Sequence, residues 1–379
     1  MVERPHERVG ESLHGLVSSG RRPFAILLAI GIAIALVGAV AGGLLRAGAA
    51  AALAELAPRL AANAALGHAA LMMGAFMGTV IGVERCVALR RGWGWPGPVL
   101  SACGGVAIMT GKPEWGALLL AAASVVFVGL NCVLVARQLV SHTVLLLAAA
   151  ACWLAGNLLY VAGTSFAAVT PWWFSFLLMT IAAERLEMTR LMRSRPGAHA
   201  ALAAVFLSMV AGAALGAITA EAGGTVFGAA LVALAAWLLR NDIAWRTIRT
   251  HGLPRYMAIC LLTGYGWLAV GGAAWAAWSA GAPCRDLAVH AVGLGFVFSM
   301  MMAHAPVILP AVARVKVRFG PLFYAAFALL QASLAVRFFP APLFAAQWPV
   351  GVAMTAAAIG FFAVTLLAAI AGWRRHHRN

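Results

Sequence analysis

ANAALGHAALMMGAFMGTVIGVE, residues 62–84, holds one ionisable side chain, His68, before the glutamate that ends it. A helix needs roughly 20 consecutive apolar residues to cross about 30 Å of hydrocarbon, so this stretch is long enough to span a bilayer. Eleven other stretches have the same character, at about 24–45, 96–111, 115–136, 141–163, 168–188, 199–219, 224–240, 256–280, 286–312, 320–339 and 348–372. The third is interrupted by Gly104 and Gly105, and the tenth contains Pro306 and Pro310, so these two are expected to depart from straight helices. The expected fold is an all-α integral membrane protein of about twelve transmembrane helices. Residues 1–23 form an N-terminal arm, 24–372 one transmembrane domain and 373–379 a basic tail.

Composition agrees. Of 379 residues, 63% are apolar and 10% charged, too few charges to coat a water-soluble domain of this size. The principal partner is therefore the lipid bilayer. A net charge of +16 raises nucleic acid as a partner, but the basic residues fall between apolar runs and form no stripe, so no nucleic acid is expected. The six cysteines form no CxxC pair and read as small buried hydrophobes. The first 22 residues are polar and lack a cleavable-signal pattern. With the N-terminus inside, all but five of the 27 lysines and arginines (Arg46, Arg59, Lys112, Arg285 and Arg337) fall on the cytoplasmic side, a strong positive-inside bias. Both termini are expected in the cytoplasm of a bacterial-type inner membrane.

Spans 2 and 6 echo each other at an offset of one hundred residues: Phe76/Phe176, Ile81/Ile181, Glu84/Glu184, Arg85/Arg185 and Arg90/Arg190. Span 10 gives a weaker echo of span 2, with His68-Ala69 and Phe76 answered by His290-Ala291 and Phe298. Spans four apart share an orientation, which suggests three parallel four-helix units around a central axis.

Ionisable groups inside spans are rare and tend to mark functional pathways. His68 and His290 each lie a few residues inside the outer end of a span, at similar depth, so two helices can present them to one ligand. Haem or metal ligation and plain interhelical hydrogen bonding weigh about equally for this pair. His304 lies fourteen residues beyond His290, about 21 Å along a helix, so one metal ion does not reach both. A second metal or a proton relay at His304 stands against bonding to carbonyls freed by Pro306 and Pro310, and the bonding is favoured. Met300, Met301 and Met302 are soft enough for copper, but three in succession point to different helix faces and read as packing. Glu84-Arg85 and Glu184-Arg185 sit at the cytoplasmic ends of their spans, as crossed ion pairs or as a proton path, the ion pairs being favoured. Arg59 and Arg285, on the outer side, suit the two propionates of a haem. Several aromatic residues, among them Tyr160, Tyr265, Trp115, Trp172, Trp173 and Trp348, fit an aromatic belt. No nucleophile or phosphate-loop motif marks an enzyme.

On His68-Ala69 followed by Met72, and His290-Ala291 followed by Gly295 and Met300, the chain resembles the NnrS family. More distantly, in its three four-helix arcs, it resembles the haem–copper oxidase catalytic subunit. The resemblance implies haem b held by His68 and His290, copper as a further metal, and a role in nitric oxide stress or electron transfer with a redox partner or a diatomic gas. The oxidase's second haem and copper histidines are not matched: span 10 has only His304 besides His290, span 6 has no histidine and span 7 has only His199 at its edge. The alternatives are a haem-free transporter or channel lined by Glu84, Glu184 and His304, and a structural subunit of a respiratory assembly.

Overall fold

The computed structural model describes residues 6–188, 195–313, 315–339 and 348–376, with side chains described for 23–188, 195–313, 315–339 and 348–373. Arg190, Arg193 and Arg314 of the expected inner loops lie outside the described residues.

Each expected span is a helix. We number them α1 (His6–Arg46), α2 (Pro58–Leu89), α3 (Pro96–Met109), α4 (Pro113–Arg137), α5 (Ser141–Val161), α6 (Phe166–Met188), α7 (Ala198–Leu215), α8 (Ala220–Asn241), α9 (Leu253–Ser279), α10 (Arg285–Ala313), α11 (Leu322–Phe338) and α12 (Trp348–His376). Ten of them are long and apolar enough to cross a membrane, and the shorter α3 and α11 fill the places of the third and eleventh spans. The protein is an all-α, multi-pass membrane protein. Sequential helices pack on one another, and α1 also touches α12, which closes the series. In the most apolar window of each span, α2, α6 and α10 are 61%, 72% and 56% buried, against 22–50% for the others. These three also contact one another. They are therefore the inner helices, and the four-span spacing of the sequence echoes is a spacing of inner positions.

Lipid offers no hydrophobic drive between helices, so close approach must supply van der Waals contact. At the α8–α9 crossing, a Cβ on Gly228 would lie 2.6 Å from the Gly272 carbonyl oxygen, and one on Gly272 would lie 2.7 Å from that of Gly228. Only glycine on both sides lets these backbones meet.

Two expectations about helix shape change. Gly104 and Gly105 do not interrupt α3; both are buried in a continuous helix, where a Cβ on Gly105 would meet the Ala75 side chain at 2.9 Å. Pro306 and Pro310 lie inside the helical segment Ser299–Ala313, and the departure from α geometry in α10 is upstream, a π-helical turn at Ala291–Phe298. A matching π-helical turn occupies Ala70–Phe76 of α2. Such turns leave backbone groups poorly paired and collect at functional sites. Neighbours satisfy them here: Ser101 of α3 donates to the carbonyl of Gly74 at 3.0 Å, and Thr79 donates to that of Ala75 at 2.6 Å. Beside the second turn, Gln331 of α11 donates to the Ser299 hydroxyl and accepts from the Trp267 indole. The cysteines are only partly buried hydrophobes: Cys86, Cys152 and Cys260 are buried, Cys284 is half-buried, and Cys103 and Cys132 are exposed.

Candidate functional site

The two π-helical turns begin at the residues of greatest interest. His68 stands two residues before the turn in α2, and His290 immediately before the turn in α10. The imidazoles face each other with ring centroids 6.3 Å apart and planes inclined by 33°. Phe76 and Phe298, eight positions on in each helix, also face each other, 6.5 Å apart and nearly parallel. The facing sides of α2 and α10 thus hold one separation over two levels, and the sequence echo between them is an echo of interface positions. The echo with α6 differs: Phe176 stacks on Trp153, while Phe174 is the ring that faces Gly293 of α10.

Hydrogen bonds decide which nitrogen of each ring is available. His68 Nδ1 lies 2.6 Å from the Ala39 carbonyl oxygen of α1, an acceptor only, so Nδ1 carries the proton. His290 Nδ1 lies 2.9 Å from Asp286 Oδ1 and 3.1 Å from the Asp286 carbonyl oxygen, so it too is the protonated nitrogen. The Arg337 guanidinium, 3.3 Å from that nitrogen, has only donors and does not compete for its proton. Arg337 instead grips Asp286 through two bonds of 2.8 and 2.6 Å, and the Trp348 indole donates to the same carboxylate. Neither Nε2 atom has a hydrogen-bond partner among the described residues. Gly43 of α1 gives His68 room, because a Cβ there would lie 3.2 Å from the imidazole Cε1.

Sequence reasoning missed two groups at this site. Asp286 is four residues before His290, one helical turn, and that spacing was a readable signal. Arg337, on another helix, left none. Arg59 and Arg285, the arginines expected to serve the site, make no contact with either imidazole among the described residues: Arg59 is exposed, and Arg285 is exposed over the Trp278 ring at 5.6 Å. Among the described residues the outer-side arginine that contacts an imidazole is Arg337, while Arg46, also exposed, reaches the Ala65 carbonyl oxygen one turn before His68.

At the opposite end of the inner helices the expected crossed ion pair forms once. Arg85 of α2 meets Glu184 of α6 at 3.4 Å. The complementary contact from Arg185 to Glu84 does not form, because Arg185 turns to Asp242 at the end of α8, with bonds of 2.7 and 3.0 Å. Asp242 also accepts from the Tyr265 hydroxyl at 2.9 Å and from the Ala244 backbone N–H at 2.7 Å. Tyr265 and Trp173 are fully buried, not members of an aromatic belt. His304 completes this cluster: its Nδ1 donates to the Met300 carbonyl oxygen at 2.7 Å, and its Nε2 faces Arg185 Nη1 at 3.5 Å. Both nitrogens are engaged, but not as expected: the Met300 carbonyl is freed by neither proline, and the carbonyl that Pro306 frees, that of Met302, accepts from the Tyr256 hydroxyl at 3.3 Å instead. Among the described residues no three His, Cys, Asp or Glu side chains group as a metal site.

Fold and site together define a multi-pass helical membrane protein in which two inner helices present a facing histidine pair. Residues 25–371 match a family described as a domain of unknown function (DUF8744), and the chain belongs to that family. No curated protein and no solved structure matches it.

Proposed function

We propose that the protein is a membrane haem-b protein of NnrS-like type, acting in electron transfer or in the response to nitric oxide, with His68 and His290 as the two axial ligands. One observation carries the reading: two imidazoles with free Nε2 atoms face each other with centroids 6.3 Å apart. Two imidazoles sharing one metal at about 2.0 Å per nitrogen have centroids about 6 Å apart. Hydrogen-bonding of the remote nitrogen to a carbonyl or carboxylate is the usual support for a ligating histidine. Haem b held there would supply one-electron redox chemistry and, where one axial position opens, a site for a diatomic gas.

The chain's own residues divide the remaining work. The Ala39 carbonyl fixes the tautomer of His68, Asp286 fixes that of His290, and Arg337 holds the carboxylate in place. Arg46, in place of Arg59, is the arginine suited to a propionate on the α2 side. For copper, the further metal that the resemblance implies, no group of three His, Cys, Asp or Glu side chains comes together among the described residues. The distribution of lysine and arginine supports cytoplasmic termini in a bacterial-type inner membrane, which puts the histidine pair near the outer face.

The test is optical. Purified protein should give a reduced-minus-oxidised haem b band that both His68→Ala and His290→Ala abolish. Absence of a band, or a band indifferent to both substitutions, would overturn the reading. Proton-driven uptake in proteoliposomes that is lost with Glu84→Gln would favour a transporter instead.

A further inference from the structure

At the end of the bundle that carries Glu184 and Arg185, the starts of α5 and α7 and the end of α8 stand around a cavity of about 1100 Å³. It contains neither member of the histidine pair. Arg195, Arg240 and Arg246 line it, together with His142 and His199. Among the described residues none of these arginines is in an ion pair. One acidic side chain is in the lining, Asp242, and both of its oxygens are taken by Arg185, Tyr265 and the Ala244 N–H. Among the described residues the wall therefore presents positive charge without a counter-charge.

A positive-inside bias accounts for basic residues on loops. It does not account for three of them converging with two imidazoles on one concavity. The walls are also tied together: Ser141 and His199 bond across α5 and α7 at 3.3 Å, and the Trp237 indole of α8 donates to the Ala198 carbonyl at 2.8 Å. Guanidinium groups pair best with planar or multi-oxygen anions, and phosphate oxygens match their geometry. The volume lies at the upper end of the range for small-molecule pockets, too large for a monatomic anion.

We propose that this cavity binds a phosphate-bearing anion through Arg195, Arg240 and Arg246. Two sources share that chemistry, a soluble phosphoanhydride and the headgroup of an anionic phospholipid. The full-length protein in neutral detergent should be followed by thermal unfolding in two arms, one with inorganic pyrophosphate, the other with phosphatidylglycerol against phosphatidylcholine. Stabilisation by pyrophosphate beyond that of sodium chloride at equal ionic strength identifies a soluble ligand. Stabilisation by phosphatidylglycerol alone identifies a headgroup. In either case Arg240→Gln/Arg246→Gln should weaken the apparent affinity about tenfold or more, as expected for losing two charge-assisted bonds. Arg255→Gln, an exposed arginine that is not in the lining, should leave it unchanged. If the double variant does not fold, Arg195→Gln serves in its place. No stabilisation in either arm, or an equal loss with Arg255→Gln, overturns the proposal. The result is independent of whether a haem band is found.

Discussion

Each end of the inner bundle holds the same three residue types in contact, an aspartate, an arginine and a histidine, but the histidine is turned differently in each. At one end Asp286 bridges Arg337 and His290, accepting from Nδ1–H while the guanidinium stands 3.3 Å from that same nitrogen, so Nε2 has no partner among the described residues. At the other, Arg185 sits between Asp242 and His304, so the guanidinium faces Nε2 and the Met300 carbonyl accepts from Nδ1–H. Burial differs as well. Arg185 and Asp242 side chains are 3% and 1% exposed, whereas Asp286 is 37% exposed beside an Arg337 at 5%. What differs is the nitrogen that the guanidinium faces: Nδ1 of His290 at 3.3 Å, which leaves Nε2 without a partner among the described residues, and Nε2 of His304 at 3.5 Å, which ties that ring into the cluster.

The contrast can be broken most sharply at the histidines. His290→Ala should remove the haem b band completely, and His304→Ala should leave it at full amplitude in the same difference spectrum. Equal losses would erase the distinction. The next largest effect is at the sealed end. Arg185→Ala leaves a buried carboxylate uncompensated and should cost about 3–5 kcal/mol, read as a fall in the thermal midpoint. Arg185→Met/Asp242→Leu should recover most of that loss, since a buried ion pair is replaceable by apolar packing. Asp286→Asn tests the open end more gently. It should keep the band but weaken haem affinity about 10- to 100-fold and raise the midpoint potential, because His290 becomes a poorer electron donor. An unchanged potential in redox titration would show that Asp286 only positions the ring. Glu184→Gln should have the smallest effect, about 1 kcal/mol or less, since its contact with Arg85 is long and partly exposed.

The helices were legible because each apolar run is set off by charge, glycine or proline, and lipid-length runs leave little choice of structure. The histidine pair was legible through depth alone: two histidines near the same end of parallel spans lie at one level whatever the packing. Partner choice was not legible. Arg185 was expected beside its sequence echo at Glu84 and found Asp242, because helix rotation and the position of α8 set that contact, and neither is written in local composition. Arg59 and Arg46 are equally plausible from their place outside the spans, and only the packing of α1 against α2 separates them. The π-helical turns left no reading in advance: in α2 the carbonyls of Gly74 and Ala75 are met by Ser101, which another helix brings in.

Those turns have a consequence for angular phase. In a regular α-helix, residues eight positions apart point about 80° away from each other, so His68 and Phe76 would diverge, as would His290 and Phe298. A π-helical turn rotates less per residue and brings each pair back onto one line. Deleting a single residue between 70 and 76 would swing His68 by about 100° relative to Phe76, while the span kept its length and hydropathy. The two helices are thus clocked by one extra residue apiece, and their meeting depends on both clocks keeping the same time.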